Sequence, residues 1–91
     1  MVYFSLRTND EQEIKNANKV VRELKKTFGK ENVSTQNYEM WKSVEIENAN
    51  AWIGIKDWGF NNANRLHLYN FNEREKNYDI PLEWCDTIYN M

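Results

Sequence analysis

A chain of 91 residues with 41% apolar and 29% charged side chains has room for one domain, residues 1–91, built on one modest core. Four Trp, five Tyr and four Phe exclude a disordered segment, because that much aromatic area is there to be buried. The net charge of −2 excludes neither sign of partner, and it hides an uneven layout: six bases stand against one acid within residues 15–30, and seven acids against four bases over residues 46–91.

Val2-Tyr3-Phe4-Ser5-Leu6 opens the chain with period-two alternation, which predicts a strand with Val2, Phe4 and Leu6 on one face. It is expected to add at one edge of a sheet. The opening has neither a basic stretch nor a long apolar one, so no signal peptide is expected. No apolar run approaches the ~20 residues of a membrane helix. Cys85 stands alone, which fits a reducing compartment, and the cytoplasm is the expected location.

Thr8-Asn9-Asp10 supplies N-cap candidates, with Glu11 and Glu13 in the first turn that follows. From Asp10 to Phe28 the apolar residues Ile14, Ala17, Val21, Leu24 and Phe28 recur at spacings of three and four, predicting a long amphipathic helix. Lys25 and Lys26 suit its C-terminal end, and Gly29 its stop.

Between Tyr38 and Glu47 the period changes to two. Tyr38, Met40, Val44 and Ile46 are expected on one face, and Glu39, Trp41, Ser43, Glu45 and Glu47 on the other. Asn48-Ala49-Asn50 predicts a hairpin turn, because Asn tolerates positive φ. Ala51 to Asp57 predicts a central strand covered on both faces, with Trp52 in the core. Asn61 to Asn64 predicts another turn, Leu66 to Phe71 a further strand, and Asn72 to Asp79 a charged loop. Pro81, with Leu82, Cys85, Ile88 and Tyr89 behind it at helical spacing, predicts a short C-terminal helix to Asn90. The expected fold is therefore α+β: a single-layer antiparallel sheet in the order β-α-β-β-β-α, with the long helix on one face.

Several chemistries lack their residues. Gly29, Gly54 and Gly59 are scattered, so no phosphate-binding loop can be drawn. His67 is the sole histidine; it reads as a strand-surface residue, with no nucleophile placed beside it. Cys85 reads as packing. No catalytic residue, cofactor or metal site is expected, and the chain is not expected to be an enzyme. The nearest exception is a carboxylate group made of Glu45, Glu47 and Asp57, if a hairpin brings them together.

Two surfaces rise above the background. The first is an aromatic–acidic strand face: Tyr38, Glu39, Trp41, Glu45 and Glu47, with Trp58 and Phe60 at a strand end as further anchors. Its acids suit a basic surface on another protein. The second is a basic ridge at spacings of four, three and four, made by Lys15, Lys19, Arg22 and Lys26, which can track phosphates or simply solvate the helix back. The first expectation is thus a non-enzymatic protein-binding domain that blocks a basic surface sterically. Small inhibitors and immunity proteins, including anti-CRISPR and other anti-defence proteins of phages and plasmids, have this size and composition. The alternative is a nucleic-acid binder using the ridge, and a third reading is a small metal-binding protein or enzyme centred on Glu45, Glu47 and Asp57. No membrane partner is expected, and a homodimer formed through an edge strand or the aromatic face fits any of these readings.

Overall fold

The computed structural model describes residues 1–55, 64–70, 72–73 and 76–90. Among these the chain order is β1 (Val2–Arg7), α1 (Glu11–Phe28), β2 (Val33–Asn37), β3 (Trp41–Ile46), β4 (Ala49–Gly54), β5 (Arg65–Asn70), β6 (Asn77–Pro81) and β7 (Cys85–Asn90). The class is α+β, with one helix and two antiparallel sheets rather than a single one.

Local chemistry sets the helix. Asp10 Oδ1 accepts the Glu13 N–H at 2.8 Å, and Glu13 Oε1 accepts the Asn9 N–H at 2.9 Å, so side chains satisfy two N-terminal amides. At the other end Gly29 takes φ 92°, and its N–H returns to the Lys25 carbonyl at 3.0 Å. Ala17, Val20, Val21, Leu24 and Phe28 are buried. Ile14, expected in that stripe, is 43% exposed. The buried stripe is centred one residue away from the expected one, on Val20 and Leu24, and this turns Ile14 to its flank.

The first sheet has the order β2-β3-β1-β7. β1 is therefore an interior strand, not an edge. Its register pairs Val2 with Ile46, Phe4 with Val44 and Leu6 with Lys42 in β3. Lys42 Nζ donates to Asn18 Oδ1 of α1 at 3.0 Å, which identifies this as the helix-facing side. Val2, Phe4, Leu6, Val44 and Ile46 are buried there against the helix. The opposite face carries Tyr3, Ser5 and Arg7 beside Glu45, Ser43 and Trp41.

The second sheet has the order β4-β5-β6. Leu66, Leu68 and Ile80 are fully buried on its inner side and join the same core as the helix. The Glu47–Asn48 turn, with Asn48 at φ 60°, carries the chain from β3 into β4. Because β3 and β4 belong to different sheets, this is not the expected hairpin. β4 lies at a sheet edge rather than centrally, so Trp52 stands 41% exposed on the outer face instead of in the core.

The last element overturns the expected helix. After a 3-10 turn at Leu82–Trp84, the chain runs on as β7. Leu6 pairs with Cys85, Ser5 with Thr87 and Phe4 with Ile88, with the register shifting between Ser5 and Leu6 and again between Tyr3 and Phe4. The first shift inserts Asp86. A bulge adds one residue to one strand, so Cys85 and Ile88, three apart, lie beside Leu6 and Phe4, which share one face of β1. Helical spacing and a bulged strand give the same sequence pattern here. β6, expected as loop, does carry a short alternation: Tyr78 and Ile80 turn inward between Asn77 and Asp79. Its Pro81 is tolerated because β6 is an edge.

Candidate functional site

Three places on the surface gather residues capable of chemistry or recognition. The first is the tip of the β2–β3 hairpin. The Tyr38 N–H donates to the Trp41 carbonyl at 2.9 Å, closing a tight turn over Glu39 and Met40. The Thr8 N–H donates to the Met40 carbonyl at 3.0 Å and ties the turn to the end of β1. Tyr38 stacks on Trp41 with ring centroids 4.9 Å apart and planes 16° from parallel. Tyr38 remains 43% exposed and Met40 57% exposed. Two backbone hydrogen bonds therefore hold an apolar, uncovered knob, and the acidic first turn of α1 follows directly after Thr8. The pairing of Tyr38 with Trp41 across the turn, rather than with Val44 along one strand, corrects the expected strand start.

Of the expected contact residues, Tyr38, Glu39 and Trp41 come together at this tip. Glu45 lies on the same face as Trp41, ~13 Å along β3 at strand rise, opposite Tyr3. Glu47 sits in the turn beyond, its N–H bonded to the Asn32 carbonyl at 2.9 Å. The described acids thus string out along β3 rather than forming one patch. Trp58 and Phe60 lie outside the described residues. So does Asp57, and the hairpin that was to bring it to Glu45 and Glu47 is absent. No group of three His, Cys, Asp or Glu suited to a metal ion occurs among the described residues.

The second place is the helix surface. Lys15, Lys19, Arg22 and Lys26 are all exposed, as the ridge requires. The cations that share a hollow are a different set: Arg22, Lys25, Lys26 and Lys30 surround a shallow depression of about 580 Å³ that Asn18 and Val21 also line. Lys15 and Lys19 stand outside it.

The third place was missed by sequence reasoning. On the outer face of the second sheet the register aligns Trp52, His67 and Asp79 across β4, β5 and β6. Trp52 and His67 stack at 4.0 Å and 15°. His67 Nδ1 lies 2.7 Å from Asp79 Oδ1, a contact that needs a proton on Nδ1 because an ionised carboxylate only accepts. Gly54 completes the packing: a Cβ there would stand 2.6 Å from His67 Nε2. A carboxylate-oriented imidazole is half of an acid–base dyad. The thiol does not complete it. Cys85 is buried on the helix side of the first sheet, and burial pushes its pKa up to about 12 from an ordinary 9.0, with Arg7 opposing. It is a neutral thiol at physiological pH and not a nucleophile. The row is best understood as cross-strand support, in which a ring stack continues into a hydrogen bond.

Comparison of the chain with protein-family models, with curated proteins and with solved structures gives no match in any of the three. Among the described residues no helix is long and apolar enough to cross a membrane.

Proposed function

We propose that this chain is a non-enzymatic protein-binding domain whose contact surface is the hairpin tip Tyr38-Glu39-Met40-Trp41, and that it acts by covering a basic surface of its target. One observation carries this reading: large apolar side chains are left uncovered on a turn that is otherwise tightly fixed. Holding Tyr38 and Met40 in water is unfavourable for the isolated chain, whereas a rigid aromatic–aliphatic knob loses little entropy on docking. Glu39 between them, with Asp10, Glu11 and Glu13 beside Thr8, sets the sign of the complementary surface. An inhibitor or immunity-type role follows this mode of action, since a steric cap needs no chemistry.

The test is capture from host lysate by the tagged chain, repeated with Tyr38→Ala, Met40→Ser and Trp41→Ala. The tip reading requires capture to fall at least tenfold with folded variants, about 1.4 kcal/mol of binding. Unchanged capture of the same partner by all three removes the tip.

A second reading, nucleic-acid binding, is favoured by the cations on α1. Lys15, Lys19, Arg22 and Lys26 give it an exposed track, and Lys25 and Lys30 add to one end of it. It requires a mobility shift with DNA or RNA that falls steeply as salt rises. No shift at micromolar protein in low salt ends it.

A further inference from the structure

The outer edge of β2 is an open strand edge with none of the usual protections. Among the described residues the first sheet ends at β2, and Ser34, Thr35, Gln36 and Asn37 are exposed. Hydrogen-bonded pairs alternate along an antiparallel ladder. The Tyr38 N–H bonds to Trp41, and the Glu47 N–H bonds to the Asn32 carbonyl. Residues 32, 34, 36 and 38 therefore turn their backbone groups toward β3. Thr35 and Asn37 turn both of theirs outward, whereas the Val33 N–H returns to the Lys30 carbonyl and leaves only its own carbonyl on the edge. Edges are commonly blunted by charge, proline or bulges. The opposite edge of this sheet, β7, has two register shifts, and β6 of the second sheet ends in Pro81. The β2 sequence Val-Ser-Thr-Gln-Asn has no charge and no proline, and its register with β3 is unbroken.

The helix flank beside this edge is self-complementary. Glu11, Ile14, Asn18, Arg22 and Lys25 recur at spacings of three, four, four and three, so they share one side of α1. Asn18 lines two hollows. One holds Val21, Arg22 and Lys25; the other, about 290 Å³, holds Ile14, Asn37 and Lys42. A twofold axis near Asn18 would set Glu11 of one helix against Lys25 of another, seven residues on either side. Ile14, 43% exposed, would face the hollow floored by Val21. Arg22, Lys25, Lys26 and Lys30 form no ion pair among the described residues. Antiparallel helices would also place the acidic start of each dipole beside the basic end of the other.

We propose that β2 pairs antiparallel with β2 of a second copy of this chain, giving a continuous eight-stranded sheet with two antiparallel α1 helices on one face. The occupant of the edge is a copy of this chain because strand edge, apolar contact and charge all match themselves under one twofold, as an isologous interface demands. Tyr38 and Glu39 of the hairpin knob also line the hollow beside Asn37, so the two surfaces adjoin there, but the dimer does not depend on the function proposed for the knob.

Light scattering of the full chain, from low micromolar to several hundred micromolar, reads the outcome. The wild type is expected to reach the dimer mass. Thr35→Pro removes an outward N–H and leaves the β3 ladder intact, so it should give a folded monomer. Should that variant fail to fold, the charge pair decides. Lys25→Glu should weaken the dimer about tenfold or more, because two symmetric contacts turn repulsive, and adding Glu11→Lys should restore it. A wild type that stays monomeric throughout overturns the proposal. So does a dimer that Lys25→Glu leaves undiminished.

Discussion

Two stacked ring pairs among the described residues have different fates. Trp52 and His67 lie in a row that continues to Asp79 and is closed from below by Gly54, so each group in it has a partner across a strand. Tyr38 and Trp41 also stack, at 4.9 Å rather than 4.0 Å, but their row ends at a turn with Met40 and Glu39 facing solvent. The difference separates stacking that holds strands together from stacking that presents a surface. Breaking the first should cost stability, and breaking the second should cost binding.

The largest expected effect tests the junction that joins the two regions, where β6 passes through the 3-10 turn into Cys85. The folded thiol titrates near 12 instead of 9.0, so its contribution is fully present below pH 9 and is lost as pH rises toward 12. Within that window stability should fall by up to about 1.4 kcal/mol per pH unit, and Cys85→Ala should flatten the slope. Tyr78, raised first by burial and then by the charge of Glu23, adds a decline of the same sign at higher pH. Chemical denaturation at pH 8, 9.5 and 11 measures both.

Next comes Gly54→Ala, which pushes a methyl group into an imidazole held by Trp52 and Asp79. A loss of about 1–3 kcal/mol is expected from this overpacking. A denaturation midpoint equal to wild type would mean that the row yields and is not a support. A double-mutant cycle on Trp52 and His67 should then return a coupling of about 0.5–1.5 kcal/mol. The same cycle on exposed Tyr38 with half-buried Trp41 should give the smaller value.

The smallest effect belongs to Ser5. Its Oγ is buried without a hydrogen-bond partner among the described residues, opposite Ser43 on the face away from the helix. Ser5→Ala removes an unsatisfied polar group, so stability should be unchanged or rise by up to about 1 kcal/mol. A clear loss in thermal melts would reveal a bond to the hydroxyl.

What the sequence made legible follows from where local signals are unambiguous. α1 has caps at both ends and a long periodic stripe, and it appears within one residue of its expected bounds. β1 and β5 alternate cleanly about Phe4 and Leu66. β2 was illegible because Val33 is its only buried residue; the rest is held by backbone pairing to β3, which leaves no hydropathy trace. β7 was misread because the Asp86 bulge imitates helical spacing. The hairpin tip was half legible. Trp41 among acids marked the place, but the stack with Tyr38 depends on a turn whose position periodicity did not show. The row at His67 depends on strand register between β4, β5 and β6, and register is a tertiary property.

The most direct test of the central claim compares the two ring pairs in one assay. The tagged chain, a Tyr38→Ala/Met40→Ser variant and a His67→Gln variant are each used to capture the partner, with melting temperature measured in parallel. The account predicts lost capture with near wild-type melting for the tip variant, and retained capture with lowered melting for the His67 variant. Retained capture by a folded tip variant, or its loss in a folded His67 variant alone, would contradict it.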